Sequence, residues 1–95
     1  MPKTAKSARR ARVVLDLSGA SPEIEDSDNV EAVTDVDSRN LVVHFGIPFR
    51  DELYRCDVIA SEPVGYEIKT RSKDGVGIQL SPPWPSKIKI VCEEI

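Results

Sequence analysis

The sequence predicts an all-β fold, a small antiparallel β-sandwich of about six to seven strands carrying a flexible basic N-terminal arm. Three observations predict it. Apolar and polar side chains alternate with period two in short runs. Those runs recur roughly every 8–12 residues, between clusters of Gly, Pro, Asn and Ser. No stretch carries a convincing helical period. A chain of 95 residues is the size of one domain. It divides into an arm over 1–11 and a sandwich over 12–95.

The elements follow in order. Residues 1–11 are small and basic, without periodicity. Arg12 to Leu17 is the first strand, rich in β-branched residues. Ser18-Gly19-Ala20-Ser21-Pro22 ends it. Glu23 to Asp28 reads as an acidic loop, because the segment from Glu23 to Asp37 holds seven acids and no base, and self-repulsion keeps it solvated. Val30–Asp35 and Leu41–Gly46 flank Asp37-Ser38-Arg39-Asn40 as a β-hairpin.

After Pro48, Leu53–Ala60 sets Tyr54, Cys56, Val58 and Ala60 on one face and Arg55 and Asp57 on the other. Gly65–Arg71 sets Tyr66, Ile68 and Thr70 against Glu67, Lys69 and Arg71. Ser72-Lys73-Asp74-Gly75 is a turn, and Val76, Ile78 and Leu80 face inward beyond it. The Pro-rich segment Ser81–Ser86 leads to Lys87–Glu93, with Ile88, Ile90 and Cys92 inside and Lys87 and Lys89 outside. Two sheets packed face to face bury these alternate rows.

The net charge of −3 conceals a split. Lys3, Lys6, Arg9, Arg10 and Arg12 place five positive charges in the first twelve residues, leaving eight bases against sixteen acids in the remainder. An acidic body argues against a nucleic-acid face on the folded part. Ordering the arm costs about 1–2 kcal/mol per residue, which only a partner offering several charge contacts offsets. No apolar run reaches the roughly 18–20 residues of a membrane span, and no apolar core of a secretory signal follows the basic start. The two cysteines, Cys56 and Cys92, match no zinc spacing. The expectation is two buried thiols in a reducing compartment, while inward parity on two strands also allows a single bridge.

Little in the sequence offers chemistry. His44 is the single histidine and has the opposite parity to Leu41, Val43 and Phe45, so it is expected to face solvent or an interface. No nucleophile sits in a recognisable motif, so no catalytic residue is assigned and the chain is not expected to be an enzyme. Glu25-Asp26-Ser27-Asp28-Asn29 has the oxygens a calcium ion takes, but neither the spacing nor the central glycine of an EF-hand loop. No metal or cofactor is expected. Trp84, between Pro83 and Pro85, either plugs the end of the sandwich or anchors a protein contact. Phe45, Phe49 and Tyr54 read as core or corner residues, since a stacking platform for bases needs a basic face.

Four segments carry a resemblance: Ala11-Arg12-Val13-Val14-Leu15-Asp16, Asn29-Val30-Glu31-Ala32-Val33-Thr34-Asp35, Asn40-Leu41-Val42-Val43-His44-Phe45, and Phe49 with Tyr54. Together they resemble a β-sandwich module of tailed-phage tail fibres and other virion appendages, similar to H-type-lectin-like sandwiches. The resemblance covers about residues 11–95 and implies a virion protein that trimerises. With only about ten residues ahead of the module, the expectation is a free-standing small virion protein, assembled in the host cytoplasm, whose partners are other capsid or tail subunits. In that reading the arm bases dock on a neighbour, while Trp84, Tyr66 and His44 are the candidate contacts to a partner or a host surface glycan. Neither nucleic acid nor membrane is an expected partner.

Overall fold

The computed structural model describes residues 10–37 and 39–95. They form eight strands: β1 (Arg10–Asp16), β2 (Glu23–Asp28), β3 (Val30–Asp37), β4 (Asn40–Phe45), β5 (Tyr54–Ala60), β6 (Gly65–Ser72), β7 (Gly75–Ser81) and β8 (Lys87–Glu94). Two four-stranded antiparallel sheets result, ordered β2-β1-β8-β5 and β3-β4-β7-β6. The expected small antiparallel β-sandwich is the fold, and no helix occurs among the described residues.

The alternating rows make the core. Ala11, Val13, Leu15 and Leu17 of the first sheet, with Ile88, Ile90 and Cys92, meet Leu41, Val43, Phe45, Val76, Ile78 and Leu80 of the second. Burying a Val, Leu or Ile side chain contributes about 1.5–3 kcal/mol, so these rows dominate the stability. At one end Phe45, Phe49 and Tyr54 pack together, with ring centroids 4.5 Å apart for the stacked phenylalanines and 4.6 Å apart for the edge-on Phe49–Tyr54 pair. The Tyr54 hydroxyl lies 2.9 Å from the Ser72 carbonyl and 2.8 Å from that of Gly75, and burial pushes its pKa up. The aromatic residues are core, as their sequence context suggested.

Four features depart from the expectations. First, Glu23–Asp28 is a strand, not a loop. It stays exposed along its whole length, yet pairs with β1, and bases of β1 and β8 engage two of its four acids. Arg12 reaches Asp26 at 2.9 Å and Lys87 reaches Glu25 at 2.9 Å. Second, β1 starts at Arg10, so Arg10 and Ala11 are strand residues and Ala11 is buried. Third, Cys56 and Cys92 stand directly opposite each other on β5 and β8 and form a disulfide, replacing the two separate thiols. Fourth, a bulge between Ile68 and Thr70 reverses the parity of β6. Thr70 therefore lies opposite Gly77 on the outer face, and Arg71 lies opposite Val76 with its guanidinium over the Tyr54 ring at 5.9 Å.

The chain changes sheet between β2 and β3 through one residue, Asn29, which has a φ of 59°. Asparagine tolerates this left-handed conformation better than most residues. Its side-chain amide donates to the carbonyls of Arg10 and Ile47 at 3.3 and 3.1 Å and its oxygen accepts from the Ile47 amide, tying the corner to β1 and to the β4–β5 crossing.

Candidate functional site

The most organised polar constellation lies where the β3–β4 hairpin turn meets the β1–β2 connection. Arg39 sits in the turn with a φ of 63°, and its side chain runs into the sandwich, leaving the residue 7% exposed. Asp35 lies opposite Leu41 and has the same inward parity. Arg39 Nη1 donates to Asp35 Oδ2 at 2.8 Å and to the Ala20 carbonyl at 3.3 Å. Nη2 donates to the carbonyls of Leu17 and Gly19 at 2.8 and 2.9 Å. The Arg39 amide donates to Asp35 Oδ1 at 3.1 Å. A planar, forked guanidinium can serve four acceptors in this way, whereas an ammonium cannot. Nε is buried and has no partner.

Trp84 closes over this clamp. The crossing that carries it, with a cis Pro82–Pro83 bond, lays the indole over the guanidinium with Cζ 5.7 Å from the ring centroid. Its Nε1 reaches the Leu80 carbonyl at 3.4 Å. Trp84 is 44% exposed, so it lids the end of the sandwich, as the first of its two expected roles has it, and still presents one surface outward. Beside it is a cleft of about 320 Å³ lined by Gly19, Ala20, Asp35, Arg39 and Trp84. It offers a carboxylate, loop backbone and an indole, which suit a polar ligand with one flat apolar side.

The three candidate contact residues do not converge. Tyr66, half-exposed, lies opposite Leu80 on β6, at the same end as Trp84. His44 lies on the outer face of the second sheet, four residues along β4 from Asn40, and its Nε2 is 3.3 Å from Thr34 Oγ1. Of the arm residues, Lys3, Lys6 and Arg9 lie outside the described residues. Arg10 is exposed at the start of β1 opposite Glu93. Arg12 is engaged by Asp26, which leaves it serving the sheet and not an arm; the same contact holds the Asp26 carboxyl below the usual carboxylate range. Among the described residues, no three His, Cys, Asp or Glu side chains gather as a metal site.

Sequence reasoning missed Arg39, placed in a polar turn, and Asn29, placed at the end of an acidic loop. A signal for Arg39 was present: Asp35, four residues earlier, falls on the inward row of a strand, where an acid needs a cation. Comparison of the chain with protein-family models, with curated proteins and with solved structures returned no match.

Proposed function

We propose that this chain is a bacteriophage virion structural protein, a capsid or tail decoration, adaptor or fibre-like component that acts by protein–protein assembly. The observation that carries this reading is the set of large apolar side chains that a rigid frame holds outward: Ile47 at 61%, Leu53 at 71%, Ile59 at 57% and Ile95 at 86% exposure. Such side chains are covered at protein contacts, where burial of apolar area is the driving term. The disulfide ties β5, which carries Ile59 and follows Leu53, to β8, which Ile95 follows, and a preordered surface lowers the entropy cost of docking. The resemblance to virion appendage modules over residues 11–95 adds the context. The experiment is to tag the protein in phage-producing cells and band the particles on a density gradient. Tag in the particle band at a fixed ratio to the major subunit is expected. Tag confined to particle-free fractions overturns the reading.

A second reading, a receptor- or carbohydrate-binding adhesin module, is favoured by the Trp84 cleft. A pyranose ring stacks on an indole and donates hydroxyl hydrogen bonds to a carboxylate such as Asp35. Glycan-array binding that is lost in Trp84→Ala supports it; an array without hits removes it.

A further inference from the structure

Four strands form the edges of the two sheets: β2 and β5 in one, β3 and β6 in the other. An edge strand displays unpaired backbone groups, and proteins guard such edges with like charges, bulges and inward-pointing charges. Three of the four are guarded. The pairing of β2 with β1 breaks register between Val14 and Leu15, and β2 carries Glu23, Glu25, Asp26 and Asp28 without a base. β3 has two register breaks, places Glu31 and Asp37 at exposed positions and turns Asp35 inward to Arg39. β6 has the bulge beyond Ile68, which carries the exposed Arg71 over the Tyr54 ring at the sheet margin. Among the described residues, β5 alone pairs with its neighbour without a register break, across seven residues, with no proline and with charges of both signs.

The hydrogen-bonding phase of that edge is fixed. Cys56 and Cys92 are 4.1 Å apart at Cα, the short separation of a non-hydrogen-bonded antiparallel pair. Cys56 therefore turns its amide and carbonyl away from β8, and Tyr54, Val58 and Ala60 share its phase. The next strand of an extended sheet must bond to these residues. The odd-numbered side chains, Leu53, Arg55, Asp57 and Ile59, point to the outer face and are all exposed.

From this we infer that β5 pairs with β5 of a second copy of this chain, antiparallel about a two-fold axis through Cys56. In that register Cys56 opposes its own equivalent, and Tyr54 and Val58 oppose each other as hydrogen-bonded pairs. On the outer face Arg55 opposes Asp57 and Leu53 opposes Ile59, each twice. These are non-hydrogen-bonded positions, where cross-strand side chains lie closest. The run Leu53-x-Arg55-x-Asp57-x-Ile59 is complementary to itself when reversed, as an isologous interface requires. Shifting the strands by one pair in either direction sets Asp57 against Asp57 or Arg55 against Arg55. The seam covers Leu53 and Ile59, two of the most exposed apolar side chains of the molecule. It gives a two-fold pair in place of the three-fold assembly that the virion resemblance implies.

The test is sedimentation equilibrium of the full chain over a wide concentration range at low salt. A monomer–dimer equilibrium is expected. Arg55→Asp and Asp57→Arg should each weaken it by about tenfold or more, since two attractive pairs become repulsive. The double variant should restore it. Both residues are exposed, so circular dichroism should show all three variants folded. Hydrogen exchange supplies an independent check, because the Cys56 and Val58 amides should be slowed only at dimer-forming concentrations. A monomer throughout, a trimer mass, or a dimer indifferent to both reversals overturns the seam. A monomer found incorporated in particles also overturns it and leaves the virion reading standing, whereas a dimer absent from particles does the reverse.

Discussion

Replacing Arg39 with Met keeps the β-carbon and the unbranched stem of the side chain as far as the position of Nε, so the left-handed backbone is perturbed little and the change is chiefly the loss of the guanidinium. Four acceptors lose their donor. The Gly19 and Ala20 carbonyls belong to exposed loop residues and rehydrate. The carbonyl of buried Leu17 does not, and the Asp35 carboxylate, with a side chain 17% exposed at the cleft beside Trp84, regains only part of its hydration. Leaving one member of a buried ion pair alone costs about 3–5 kcal/mol. Total stability for such a domain is about 5–15 kcal/mol, so Arg39→Met should remove a large share of it. At about 4–8 °C per kcal/mol for this chain length, Tm should fall by at least about 12 °C. Urea unfolding at neutral pH measures the change as a lower midpoint with an unchanged slope. The double variant Arg39→Met/Asp35→Leu should recover about half or more of the loss, because no charge is then left unpaired. Arg39→Lys should recover less, since an ammonium cannot fork to four acceptors. A loss under about 1 kcal/mol, or single and double variants that add without coupling, would refute the clamp.

Three further outcomes are expected. Reducing Cys56–Cys92, which closes a loop with a sequence separation of 36, should cost about 3.8 kcal/mol on the chain-entropy relation; identical urea midpoints with and without reductant would contradict it. Hydrogen bonds from Ser18 to Asp16 and from the Ser86 amide to Glu62, and the contact of Arg12 with Asp26, hold these carboxyls below their ordinary values. Their stabilisation is present above the unfolded value, about 4.5 for Glu62, and is lost as pH falls through the lower folded values. Urea midpoints should therefore decline below that pH, with a smaller decline in Glu62→Gln, and a flat profile would count against it. Gly75→Ala places a β-carbon 2.5 Å from the Val43 carbonyl oxygen and should cost about 1–3 kcal/mol. In Gly77→Ala the clash is with Thr70 Oγ1 at 2.6 Å, so thermal melts should show Thr70→Ala rescuing Gly77→Ala but not Gly75→Ala.

The architecture was legible because period-two alternation is a local signal: Val76, Ile78, Leu80, Ile88, Ile90 and Cys92 each fell on the expected side. The signal failed where pairing depends on residues distant in sequence. β2 is held by its ladder with β1, with Arg12 and Lys87 relieving two of its acids, and an isolated reading of Glu23–Asp28 holds no trace of either. The disulfide depends on β5 and β8 being neighbours in register, which parity permits and does not specify. The Arg39 clamp needs three carbonyls from the connection after β1, and their approach is a property of the closed sandwich. Arg71 changed side because one bulged residue shifts every side chain after it.

The acidic flank has a consequence for how large an assembly can grow. Strands β2 and β3 form one ribbon that turns at Asn29 and lines one side of both sheets, and its exposed acids outside the ion pairs with Arg12 and Lys87, Glu23, Asp28 and Glu31 among them, face any copy that approaches there. A filament requires two adhesive sides on every subunit. This molecule has one regular edge and, across the sandwich, a flank that repels its own kind, so strand addition stops after a single step and the product is closed. Neutralising the acids of that ribbon would remove the stop and turn a finite particle into a growing fibre.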